Sequence, residues 1–292
     1  MSMTTLTRCT RSLALAGLCL VAAGAAYAQV SSINSAYVDP NSIFQPQIPG
    51  SMFTSSSSGN PQNGTLSVTL NEANVGNPGG SGNTYANQNV WFFSNNGGTS
   101  AYQFNANDYF HASYSLTLTG GTTGYDMEGG FYFANPSGNF GGNCQIFVVN
   151  SGVIFQGGGP SYYPFSPAAG GYPGAGAQVP NYTVGQTLTL GFNYVIDPGT
   201  GNPAFQYSVN GMFAASAPGD PYFDLGAGQF VGGSGDNLGG YFQIQTTGNV
   251  SSPNSGSAQF SDISITPVPE PSVLTLLGLG LLPVTRLLRR RA

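Results

Sequence analysis

The chain has no lysine, and its six basic residues are arginines at the two ends: Arg8 and Arg11 near the start, then Arg286, Arg289, Arg290 and Arg291. From Gln29 to Val268 stand ten carboxylates (Asp39, Glu72, Asp108, Asp126, Glu128, Asp197, Asp220, Asp224, Asp236, Asp262) and one histidine, His111. A body without Lys or Arg cannot release counterions from a phosphate backbone, so nucleic acid is excluded as a partner. Bidentate arginine recognition of acidic ligands goes with it. No Lys or Arg ion pair can form inside the body, which must be held by burial and β-ladder hydrogen bonds. Cysteine is scarce as well: Cys9 and Cys19 lie in an N-terminal apolar segment, which leaves Cys144 without an intramolecular partner. Its apolar run, Cys144 to Val149, suits a buried, inert thiol. His111 has no second histidine or thiol cluster to complete a zinc site and reads as a packed strand residue. No cofactor motif is present, and no metal site is assigned.

What the sequence has in quantity is glycine and proline, 44 and 20 of 292 residues, beside 40% hydrophobic residues. That mixture favours short strands joined by turns in one domain. Residues 29–64 are rich in Ser, Asn and Pro and read as a loosely ordered lead-in. From Thr65 the period becomes two, and residues 65–266 read as a β-sandwich domain. Strands are predicted at Thr65 to Leu70, Asn89 to Phe93, Tyr109 to Thr119, Glu128 to Ala134, Gln145 to Asn150, Val153 to Gln156 and Thr187 to Ile196. Others follow at Phe205 to Val209, Met212 to Ala215, Tyr241 to Thr246 and Ala258 to Ile265. Asn210-Gly211 predicts a two-residue hairpin turn. The expected fold is all-β, an antiparallel two-sheet sandwich of jelly-roll type. Glu128-Gly129-Gly130-Phe131-Tyr132-Phe133, the Val209-Asn210-Gly211 hairpin and the closing run Ala258 to Ile265 resemble concanavalin A-like or laminin G-like sandwiches.

The two ends read as processing signals. Arg8 and Arg11, the apolar stretch Leu13 to Ala23 and the small-x-small site Ala26-Tyr27-Ala28 before Gln29 make residues 1–28 a secretory leader, cut by signal peptidase after Ala28. Residues 267–292 contain Pro269-Glu270-Pro271, an apolar stretch from Ser272 to Leu288, and the basic residues Arg286, Arg289, Arg290 and Arg291. This tail resembles the PEP-CTERM sorting signal. The resemblance implies a transient inner-membrane helix with arginines at the cytoplasmic face, cutting near the Pro-Glu-Pro site by an exosortase, and delivery to the cell surface or matrix. Seventeen residues of helix extend about 25 Å, a marginal span.

These features predict a non-enzymatic surface or matrix protein that packs among exopolysaccharide. The alternative is a carbohydrate-binding or adhesion module using the loop from Gly157 to Tyr182, whose Tyr162, Tyr163, Phe165 and Tyr172 could offer rings to sugar faces. The enzymatic foothold is Asp126 and Glu128, two residues apart on one strand face and roughly 7 Å apart. Paired carboxylates run glycoside hydrolysis. Laminarinase-like hydrolases carry a third acid two positions earlier, where this chain has Gly124. Asp197 to Asn202, with Asp220, Asp224 and Asp236, offers oxygen ligands of the kind calcium takes, or ordinary turn chemistry.

Overall fold

The computed structural model describes residues 30–39, 48, 50–76, 85–120, 125–134, 144–149, 152, 154–156, 163–164, 182–214, 216, 219–225, 236–246 and 254–268. The strands in chain order are β1 (Ser35–Asp39), β2 (Met52–Ser58), β3 (Leu66–Val75), β4 (Ala86–Ser94), β5 (Phe110–Gly120), β6 (Tyr125–Ala134), β7 (Cys144–Val149) and β8 (Ile154–Gln156). They continue with β9 (Tyr163–Pro164), β10 (Thr187–Ile196), β11 (Pro203–Val209), β12 (Met212–Phe213), β13 (Phe223–Asp224), β14 (Asn237–Thr246) and β15 (Asn254–Pro267). One sheet has the order β1-β4-β14-β6-β7-β8-β9 and the other β12-β11-β10-β5-β15-β3-β2, with β13 beside β11. The described pairings are antiparallel. The all-β two-sheet sandwich is therefore the architecture. Among the described residues no helix is long and apolar enough to cross a membrane; the leader and the tail expected to span lie outside the described residues.

Alternation sets the two layers. In β3 Leu66, Val68 and Leu70 face inward, and in β5 Phe110, Ala112, Tyr114, Leu116 and Leu118 do the same. The outward positions of the eight-stranded sheet carry hydroxyls that bond across strands, Ser113 to Ser264 at 2.9 Å and Thr117 to Thr187 at 2.7 Å. The core between the layers is aromatic. Trp91 of β4 packs edge-on against Tyr114 of β5 at 6.0 Å and Phe260 of β15 at 5.7 Å, and Tyr114 meets Phe131 of β6 at 4.1 Å. Each large apolar side chain buried this way contributes roughly 1.5–3 kcal/mol. Gly240 of β14 makes room for this cluster: a Cβ there would lie 2.6 Å from Trp91 Nε1 and 2.9 Å from Phe260.

Several expectations need correcting. The lead-in contributes β1 and β2, which pair with β4 and β3; a run of serines makes a strand because a well-patterned neighbour supplies the ladder. His111 is not packed but exposed, on the outward face of β5 between Asn193 and Thr266. β14 begins four residues before the predicted Tyr241, taking in Gly239 and Gly240. In β15, Asp262 has a positive φ of 52° at a bulge that turns Ser261 and Asp262 outward in succession while returning Ile263 to the core. The predicted hairpin stands as expected, with Asn210 at φ 50° and Gly211 at φ 78°.

Candidate functional site

β4, β14, β6 and β7 lie side by side in the seven-stranded sheet, and their second face, turned away from the core, carries the candidate site. In register, one row across it reads Gln88, Gln243, Glu128, Val149. The rows beside it read Val90, Tyr241, Gly130, Phe147 and Tyr37, Phe92, Gly239, Tyr132. Period two produces this face from the same strands that build the core: Trp91 and Phe93 point inward, so Gln88, Val90 and Phe92 sit on the outer side. Gly130 and Gly239 let the neighbouring strands come close, since a Cβ would run into Ile146 O and Phe147 Cα at the first and into Trp91 O and Phe92 Cα at the second. Phe147 and Tyr241 are 6.2 Å apart, Phe92 and Tyr132 5.9 Å, and Tyr132 and Tyr241 5.9 Å.

Within that aromatic frame lies a short polar network. Gln88 Nε2 donates to Gln243 Oε1 at 3.0 Å, with both residues buried. With its oxygen so engaged, Gln243 keeps its amide N–H groups for its neighbours, and the next residue in the row is Glu128. Burial pushes the Glu128 carboxyl up to about 7; a hydrogen bond from Tyr241 works against this, and the negative charge of Asp126 adds to it. A carboxyl with that value holds a proton part of the time at neutral pH and can give or take one. Asp126, on the same face of β6, is exposed and stands opposite Gln245.

Another acid, on the core side, was not foreseen. Glu72 lies on the inward face of β3, 2% exposed, and accepts a hydrogen bond from Asn89 Nδ2 at 2.7 Å across the sandwich. Asn87 beside it bonds Ser51 and the backbone of Ile48. Glu72 Oε2 has no partner among the described residues, and desolvation holds its carboxyl above the ordinary range despite the surrounding amides. The signal for it was in the sequence: Glu72 continues the inward parity of Leu66, Val68 and Leu70.

The other sequence candidates fall as follows. Asp197 uses its carboxylate on the Gly199 N–H at 2.7 Å and the Thr200 hydroxyl at 2.9 Å, and Asp220 accepts from the Tyr222 N–H at 2.9 Å. These are turn contacts, and the bond from Gly199 holds Asp197 below the usual carboxylate range. Among the described residues no three or more His, Cys, Asp or Glu side chains group together as a metal site. Of the aromatic loop, the backbone of Tyr163 in β9 pairs with Gln156 and extends the sheet that bears Glu128. Tyr162, Phe165 and Tyr172 lie outside the described residues, as do Ala26, Ala28, Gln29, Pro269, Glu270, Pro271, Arg286, Arg289, Arg290 and Arg291.

No family model matches the chain, and no curated protein matches it. Solved structures do. A family 7 alginate lyase, A1-II′, bound to its product is 11% identical with a TM-score of 0.39, covering 82% of this chain and 96% of that one. An alginate lyase from Pseudomonas aeruginosa is 12% identical with a TM-score of 0.41, covering 82% and 99%. A carbohydrate-binding module from Bacillus subtilis is 8% identical with a TM-score of 0.31, covering 76% and 99%. Enzymes thus stand among the structures similar to this chain, and the expectation of a non-enzymatic protein is corrected accordingly.

Proposed function

We propose that the chain is an exported protein, delivered to the cell surface or matrix by its PEP-CTERM-type tail, whose sandwich acts on a polysaccharide at the outer face of the seven-stranded sheet. The observation that carries the reading is Glu128: a carboxyl raised to about 7 by burial, placed beside Tyr241 and Gln243 on a sheet face rather than in the core. A buried acid without a countercharge is costly to maintain, and a site that moves protons is a reason to keep one. The half-buried rings of Tyr132 and Tyr37 and the Gln245 amide are the groups a sugar needs, an apolar platform with hydrogen-bonding edges, set over the buried Phe92, Phe147 and Tyr241. In this role Glu128 exchanges a proton with the glycan, Tyr241 and Gln243 orient it, and half-buried Tyr132 and Tyr37 form the rim.

The test is turnover of a broad polysaccharide panel by the purified protein, read both as new reducing ends and as unsaturated products, beside the Glu128→Gln variant. The variant should lose at least about 100-fold in rate, the usual share of general acid–base catalysis. Equal rates in the two proteins, or no product from any polymer, would sink the catalytic part. The delivery part has its own test: removing Pro269 to Ala292 should abolish surface display, and unchanged display would count against the tail's role.

A further inference from the structure

Resting on the reading of this sheet face as a polysaccharide site, we infer that its polymer is neutral, and that polyuronates and other acidic chains are turned away. Among the described residues, the ionisable groups on and around the polar row are Glu128 and Asp126 on β6, Tyr241 on β14, Tyr132 on β6, and Tyr37 and Asp39 on β1. The remaining side chains in the row and its extension are the uncharged Gln88, Gln243, Gln245 and Val149. None of these can be a cation. The sequence between Arg11 and Arg286 has no Lys or Arg to reach in from any loop. Its one histidine, His111, stands on the outward face of the other sheet, across the whole sandwich from Glu128.

A uronate residue seated here would bring its carboxylate against Glu128 and Asp126 with nothing to compensate. In the low-dielectric setting that already disfavours ionised Glu128, such a like-charge approach lowers affinity by at least about tenfold. A neutral pyranose meets the opposite situation. Its hydroxyls find the half-buried Gln245 amide and the Glu128 carboxyl, which the buried Gln88, Gln243 and Tyr241 support from beneath, and its C–H face finds the rings of Tyr132 and Tyr37. The inference also limits the chemistry. β-Elimination draws on a uronate carboxyl to acidify the neighbouring C–H, so a neutral chain is closed to it.

The experiment is titration calorimetry of the purified protein in EDTA with laminarin, a neutral β-glucan, and galactan, against polymannuronate and polygalacturonate, at low and at high salt. We expect a neutral polymer to bind at least about tenfold more tightly than either polyuronate, with little salt dependence. Tyr132→Ala should abolish that binding. Gln245→Arg, a surface change that leaves the core alone, should give the face a salt-sensitive gain of roughly threefold for polyuronate. Polyuronate binding as tight as neutral binding, and lost in Tyr132→Ala, would overturn the neutral-polymer inference while leaving the site standing. Binding of any polymer that neither Tyr132→Ala nor Glu128→Gln disturbs, or no binding at all, would overturn the site reading itself.

Discussion

Replacing Glu128 with glutamine should flatten the dependence of stability on pH. The ordinary glutamate value is 4.5 and Glu128 stands at about 7, so the folded protein binds this proton more tightly than the unfolded chain does. The sign follows directly: the contribution is fully present below pH 4.5, is lost as pH rises toward 7, and changes no further above it. At about 1.4 kcal/mol per pH unit the loss is about 3 kcal/mol, and solvent reaching the partly exposed carboxyl brings it nearer 2. For a domain of this size that is about 4–8 °C in Tm. Glutamine can still accept from Tyr241 but carries no charge. The variant should therefore match wild type near pH 4.5 and exceed it by about 2 kcal/mol at pH 8. Urea unfolding between pH 4.5 and 8, followed by the fluorescence of Trp91, the single and fully buried tryptophan, would measure it. Curves for the two proteins that run parallel across this range would refute the reasoning. The lower limit keeps Asp197 out of play: its value is depressed, so the stability it contributes is lost only as pH falls below the ordinary aspartate range.

Two further outcomes are expected. Gly240→Ala would drive a methyl into the Trp91 indole and Phe260 and should cost about 1–3 kcal/mol, with the Trp91 emission shifted by loosened packing. Asn89→Asp would remove the donor that Glu72 accepts from and set a second acid beside it. The loss should be about 2–4 kcal/mol near neutral pH and smaller in acid, where protonation relieves the repulsion between the two acids, as denaturant titration at neutral and acid pH would record.

The strands of the core were legible because period two is written directly into residues such as Leu66, Val68 and Leu70, or Leu188, Leu190 and Phe192. β10 carries that pattern from Thr187 to Tyr194, and its predicted range coincides with the observed Thr187–Ile196. β2 was hidden because Met52–Ser58 is five parts hydroxyl and exposed throughout most of its length; its conformation comes from pairing with β3, not from its own side chains. The start of β14 was hidden for a related reason. Gly239 and Gly240 look like a loop in isolation and are needed only because Phe92 and Trp91 stand opposite them. The site was half visible. Asp126 and Glu128 shared a strand face from sequence alone, but Gln88, Gln243 and Tyr241 join them through the order β4-β14-β6, a long-range pairing that local pattern does not encode. Glu72 was readable by parity, and its amide partners across the sandwich were not.

The single sign of charge in this body bears on where it can live. Proteins that rest on ion pairs lose part of their support as salt screens them, and this fold has no Lys or Arg pair between Arg11 and Arg286 to lose. What salt does screen here is the mutual repulsion of ten carboxylates. Added salt should therefore tighten the sandwich, with Tm rising steadily with ionic strength, so that dilution, not salinity, puts this fold under stress.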